Sequence, residues 1–384
     1  MRSKNIPYIE GIDHIRAFAS LMVVLHHGLW TFHRKWDPPG LVEDNWFTTT
    51  NPLFGIVIET HIVVTMFFVL SGFVFRLAGE GREIHYGKFL KNRALRVLPL
   101  YWGLIFFGMA VFPERVNVVG ALASLTIFGN SLAALNLWPI SVAFWTVAIE
   151  LQFYLIFPFL NRIMNRDGRR PIIVLLLFVV ALRLVGFFLT RSIRDLNYWH
   201  LPGRLDAFLM GMLVAGVVRR RKLLEIHPAW ALAGLVALFG TTFALNRLGG
   251  YPVQAWWKAL WPAVEAVVCT FFVVTYIAGS RVLPRWLGRA LRGLGELSFS
   301  TYLVHFMLLQ VMFDHDLLWD LRRFGWSAFH AALANTLLFL VPATLLLSAM
   351  AYFAIEAPFM RMRVRYVYRT ADDPGGPSPP AADA

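Results

Sequence analysis

Two adjacent histidines, His26 and His27, stand within an apolar run that begins near Gly11, and Arg16 precedes the second of them by eleven residues. At 100° per residue, eleven steps return to nearly the same face of a helix, so Arg16 and His27 share a face about 16 Å apart, while His26 points well away from it. Neutral imidazole is the usual general base near pH 7. His27 is therefore the candidate for proton chemistry, with Arg16 as a cation below it. Asp13 and His14 lie on the same run. A second candidate is Glu150, one helical turn before Tyr154 in an apolar stretch that includes Trp145. Counted from the ends of their runs, Glu150 and His27 reach similar depth, where the carboxylate would orient the imidazole or position a hydroxyl acceptor. A third feature is Arg93-Ala94-Leu95-Arg96, just before Pro99 and Tyr101. Two guanidinium groups three residues apart on a helical turn face the same way and can clamp phosphate bidentately.

Each of these has a plainer reading. A histidine or glutamate inside an apolar helix can serve only to bond a neighbouring helix, and arginines at a helix end can serve only to anchor it. The same holds for Arg183, Arg204, Glu265 and His305. His26 and His27 project in different directions and make a poor pair of metal ligands. Asp314-His315-Asp316 reads as a solvated loop. There is no nucleophile elbow, phosphate-binding glycine loop or zinc spacing, and neither a metal nor a cofactor is expected.

The elements that carry these groups follow from composition. The 384 residues are 58% hydrophobic and 15% charged, where a soluble domain carries roughly 25% charged residues. Such a chain has more apolar surface than one core can hide, and several runs reach the ~18–20 residues that span hydrocarbon. No cleavable signal peptide is expected. Spans are expected at 11–32, 54–77, 97–112, 142–160, 171–190, 205–218, 230–245, 257–278, 297–313 and 329–353. They are helices, because their apolar content is nearly continuous and barrel alternation is missing. The 205–218 run is short and calls for a thinned or shielded place; Pro262 and Pro342 should kink their spans.

The net charge of +13 gathers in short loops, which sets topology and favours anionic lipid as a partner over nucleic acid. Arg76, Arg82, Lys88, Lys91, Arg93 and Arg96 lie in one loop, and Arg162, Arg166, Arg169 and Arg170 in another. Placing both in the cytoplasm requires an even number of crossings between them, which makes the polar-interrupted stretch 116–138 re-entrant or interfacial. Arg219–Lys222, the arginines from 281 to 292 and those from 361 to 369 then fall inside as well. The expectation is an all-α polytopic bundle of about ten transmembrane helices in the cell's cytoplasmic membrane, with both termini cytoplasmic. One membrane domain covers 1–369, and a disordered tail covers 370–384. The single Cys269 lies in an apolar run, which excludes a disulfide within the chain.

Taken together and in order, several stretches resemble the acyltransferase family three of membrane acyltransferases. Gly11-Ile12-Asp13-His14-Ile15-Arg16-Ala17, with ten residues between Arg16 and His27, is similar to that family's first span. Phe67 to Phe73, Arg93 to Arg96 with Pro99 and Tyr101, Trp145 to Tyr154 with Pro158, Leu297 to His305, and Glu356-Ala357-Pro358-Phe359 resemble its later signatures. Thr146 stands where serine is usual and Thr65 where an acidic residue is common. The resemblance implies transfer of an acyl group, often acetyl, from cytoplasmic acyl-coenzyme A to a hydroxyl, commonly of a saccharide at the outer face. It points to His27, as general base or transient acyl carrier, and Glu150 as catalytic positions, and to Arg16, Arg93, Arg96, Asp13, Trp145, Tyr154 and His305 as substrate-binding ones. The competing reading is a transporter or flippase that uses the same polar groups as a pathway.

Overall fold

A computed structural model describes residues 5, 8–37, 47–131, 134, 144–217, 223 and 225–369. Among them the helices are α1 (Glu10–Trp36), α2 (Pro52–Ile58), α3 (His61–Gly79), α4 (Tyr86–Val111), α5 (Val118–Leu125), α6 (Trp145–Asp167) and α7 (Arg170–Thr190). There follow α8 (Arg194–Trp199), α9 (Leu201–Ala215), α10 (Trp230–Arg247), α11 (Trp261–Gly279), α12 (Arg285–Asp314) and α13 (Ala328–Arg361). The fold is all-α apart from two three-residue strands, β1 (Arg82–Ile84) and β2 (Val367–Arg369), which pair antiparallel. Eight helices, α1, α3, α4, α6, α7, α11, α12 and α13, are long and apolar enough to cross a membrane. Their outward faces carry exposed Leu, Val and Phe, as on α7, where Val174, Leu177, Phe178 and Leu189 are all more than half exposed. The chain is an integral membrane protein.

Several expected spans take a different form. The run 54–77 divides into α2 and α3, with the break at Glu59 and Thr60. Pro262 falls in the first turn of α11, where no backbone donor is needed, so it has no ladder bond to break. Pro342 follows a π-helical turn, Thr336–Leu340, inside α13, and the wider turn accommodates the lost donor. The short run near 205–218 is α9, whose 15 residues reach only about 23 Å. It is shielded, as expected, and most of its residues are buried. Its packing on α3 is reciprocal and backbone-close: a Cβ on Gly72 would lie 2.0 Å from the Phe208 carbonyl oxygen, and one on Gly211 would lie 2.1 Å from that of Val69. Only glycine permits such an approach. Gly211→Val is expected to destabilise the protein by about 3 kcal/mol or more, the upper range for overpacking. The check is the melting temperature of detergent-extracted protein, and an unshifted value would refute this packing.

The basic loops gather at one end of the bundle. Arg76 at the end of α3 donates to Asn161 and Asn165 near the end of α6, and Arg169 donates to the Gly216 carbonyl. Both described ends of the chain meet there, because the Tyr366 amide donates to the Asn5 side chain. At the opposite end Lys35 pairs with Asp316 of the acidic loop at 2.6 Å. Between α4 and α6 the chain does not complete a crossing within the described residues. The eight residues of α5 span about 12 Å, and the turn after them meets the helices part-way down. The Tyr101 hydroxyl donates to the Ser124 carbonyl, and Gln152 donates to Ile127 and Asn130. Residues 132, 133 and 135–143, Arg219–Lys222 and the tail 370–384 lie outside the described residues.

Candidate active site

Helices α1 and α12 make the most extensive contact in the molecule, and it brings two imidazoles together. His27 Nδ1 lies 2.8 Å from His305 Nε2, with the rings parallel and their centroids 5.1 Å apart. The tautomers follow from what surrounds His305. Its Nδ1 faces the carbonyl oxygens of Tyr302 at 2.7 Å and Thr301 at 3.2 Å, and a carbonyl only accepts, so the proton sits on Nδ1. With both rings neutral, His305 Nε2 accepts from His27 Nδ1, which leaves the lone pair of His27 on Nε2. No hydrogen bond among the described residues engages that nitrogen. His26 turns the other way and bonds the Val57 carbonyl at 2.8 Å.

On the basic side of this pair lies an inner cleft of about 910 Å³. Arg16, Arg93 and Arg96 stand toward its basic end, Glu150 and Ser71 in its middle, and Thr146 and Tyr302 at its far end. Thr146 Oγ1 donates to the Tyr302 hydroxyl at 2.9 Å, a bond that serine would also make, so the departure at 146 keeps the hydroxyl. His305 is one turn beyond Tyr302 on α12. A second, outer cavity of about 940 Å³ shares Arg16, Arg93 and Arg96 as part of its wall.

The two arginines of the 93–96 turn have different surroundings. Arg93 stacks over Phe75, Phe89 and Tyr154 at 5.0–5.9 Å, and its buried Nε has no hydrogen-bond partner. Arg96 is held by Glu356 at 2.5 Å, and the other oxygen of Glu356 accepts from Ser300. Three stretches that are distant in sequence thus close on one carboxylate. Arg16 pairs with Asp13 at 3.4 Å, and both line the outer cavity.

A family model described as an acyltransferase domain matches residues 9–353. The chain belongs to acyltransferase family three. Relatives of this acyltransferase include the exopolysaccharide production protein ExoZ of Rhizobium meliloti, 28% identical over 78% of this chain and 89% of its own length. Acyltransferase MdmB of Streptomyces mycarofaciens is 24% identical over 82% of this chain and 84% of its own. The O-acetyltransferase OatA of Staphylococcus aureus is 26% identical over 54% of this chain and 34% of its own. No solved structure matches the chain.

Two expected arrangements of the acyltransferase site take another form. Glu150 makes no hydrogen bond with His27 among the described residues. It accepts from Ser71 Oγ at 2.9 Å and lines the cleft with Tyr154, because its azimuth on α6 faces α3 and α4 rather than α1. The residue that bonds His27 is His305, which the sequence offered as a packing or substrate-binding residue and not as the partner of His27. Trp145 lies outside both cavity walls and packs against Tyr198, tilted, and Trp199, edge to face, with centroids at 4.6 and 5.1 Å.

The guanidinium of Arg204 lies over the Trp145 ring at 5.8 Å and belongs to a buried polar network between α3, α9 and α11 that sequence reasoning did not assemble. Glu265 accepts from His61 at 2.8 Å and from Thr65 at 2.9 Å, and Thr65 accepts from Arg204 at 3.0 Å. Where the family commonly has an acid at position 65, the carboxylate here arrives from the neighbouring helix. Among the described residues no group of three or more His, Cys, Asp or Glu could hold a metal ion.

Proposed function

We propose that the acyltransferase moves an acyl group, acetyl in the simplest case, from acyl-coenzyme A at its basic end to a hydroxyl of a saccharide at the opposite face. What supports this is an inner cleft that has Arg93 and Arg96 in its wall and reaches Tyr302, together with an imidazole pair one turn beyond Tyr302 on α12, outside the cleft's wall, whose hydrogen bonds leave the His27 Nε2 lone pair unused. The positive-inside bias supports a cytoplasmic position, in the cytoplasmic membrane, for the basic end and both described termini, the side where acyl-coenzyme A is made. Arginines at the mouth take the donor's phosphates, and the cleft takes its pantetheine arm toward Tyr302. His27 Nε2 accepts the proton of the acceptor hydroxyl as its oxygen attacks the thioester carbonyl. The tetrahedral intermediate then expels coenzyme A thiolate, which takes that proton back from the imidazolium. His305 holds the ring throughout and shares the charge. The names of ExoZ and OatA, in exopolysaccharide production and O-acetyl transfer, support a saccharide hydroxyl as acceptor.

The experiment is release of free coenzyme A by purified protein given acetyl-coenzyme A together with a saccharide that offers free hydroxyls as acceptor. Wild-type protein is expected to turn over, and Arg93→Ala to raise the KM for the donor about tenfold, the size of one charge-assisted hydrogen bond. Donor binding without release, equal in both proteins, would count for a transporter.

A further inference from the structure

The outer cavity is broader in its chemistry than the cleft it joins. Four guanidinium groups line it, those of Arg16, Arg93, Arg96 and Arg363, against the two carboxylates of Asp13 and Glu296. Arg363 lines the outer cavity and not the inner cleft, and it lies beyond the residues 9–353 that the family model matches. Its backbone is fixed. Asn92 of α4 both donates to the Val364 carbonyl and accepts from the Val364 amide. His85 donates its amide to the Tyr366 carbonyl, and β2 closes on β1 one residue further along. The segment from Arg361 to β2 is thus strapped across the start of α4, and Arg363 is presented to the cavity at a set position, its Nε donating to the Met360 carbonyl.

The order of groups along the path matters. From Tyr302, one turn short of His305, come the inner cleft, the arginines shared by both cavities, and then Arg363 with Tyr8 and Tyr366. Acyl-coenzyme A has the same order: thioester, pantetheine arm, pyrophosphate, and finally a ribose that bears a 3′-phosphate and adenine. Resting on the donor assignment above, we propose that the outer cavity is the subsite for the 3′-phosphoadenosine end, with Arg363 reading the 3′-phosphate. The crowding of cations around Arg363 agrees with this. Burial, and then the charges of Arg93 and Arg96 beside it, push its guanidinium down to about 10, a repulsion that a dianionic phosphate relieves. The assignment makes Arg363 a specificity-determining residue that tells coenzyme A from its 3′-dephospho form.

The test is calorimetric binding of coenzyme A and of 3′-dephospho-coenzyme A to the full chain in detergent. Wild-type protein is expected to prefer coenzyme A by tenfold or more. In Arg363→Gln the ratio of the two dissociation constants falls to within about twofold of one, and Arg363→Lys keeps most of the preference. A wild type that binds both forms equally, or an Arg363→Gln protein that keeps the preference or loses it only through general weakening that Arg363→Lys shares, would overturn the subsite while leaving the donor assignment intact. A wild type that binds neither form would overturn the donor assignment itself, and the subsite with it.

Discussion

Purified protein carrying His27→Ala is expected to release coenzyme A from acetyl-coenzyme A about a thousandfold more slowly than wild type. A positioned general base contributes roughly 10²–10⁴ in rate, and no other imidazole can substitute at this place. His26 is turned to the Val57 carbonyl, and the His305 Nε2 that the variant frees sits behind the position of the His27 ring, on its Nδ1 side and away from its Nε2. Alanine at 27 leaves His305 Nε2 unsatisfied but intact, so donor binding should survive. The loss should fall on kcat rather than on KM. His305→Leu removes the acceptor that fixes the His27 tautomer and is expected to cost less, about tenfold to a hundredfold, because the base remains but is free to rotate. Normal turnover in His27→Ala, measured by thiol release from protein that elutes at the wild-type position, would remove His27 from the mechanism.

What could be read from sequence is what depends on one helix at a time. Eight of the ten expected spans correspond to helices long and apolar enough to cross a membrane, the runs 205–218 and 230–245 being the exceptions, and they were legible because hydrocarbon demands long apolar runs; His27 could be told from His26 because a helix fixes azimuth at 100° per residue. The loops at Arg76 and Arg162–Arg170 could be set at one end by charge alone, and the contacts of Arg76 with Asn161 and Asn165 bear this out. What depends on how two helices are rotated against each other was not legible. Glu150 could be placed inside an apolar helix, but its partner is decided by which face of α6 meets α3, where Ser71 stands opposite it. The pairing of Arg96 with Glu356 joins residues 260 apart, and no local pattern announces it. The break between α2 and α3 was hidden because Glu59 and Thr60 interrupt an apolar run too briefly, and because Glu59 is fully buried, with Asn246 donating to it. The strands β1 and β2 are three residues each, too short for alternation to register.

Asp206→Leu is expected to be the most damaging single substitution for stability, at about 3–5 kcal/mol, because it strands a buried charge. Arg183 on α7 has no exposed surface, and its Nη2 lies 2.7 Å from the carboxylate of Asp206 on α9. The contact is off the axis of a hydrogen bond, so charge neutralisation, more than directional bonding, holds the pair; Arg183 Nη1 also donates to the Gly203 carbonyl at 3.0 Å. Neither residue lines the cleft or the outer cavity, so stability and chemistry can be separated. The double variant Arg183→Met/Asp206→Leu removes both charges and keeps apolar volume, and replacing a buried pair in this way is often neutral or better. Its melting temperature in detergent should therefore return close to that of wild type, with thiol release intact, while Asp206→Leu alone unfolds early. If the two losses added instead of cancelling, the pair would be holding α7 and α9 by shape rather than by charge. The close approach of α9 to α3 at Gly72 and Gly211 would then carry that side of the cleft unaided.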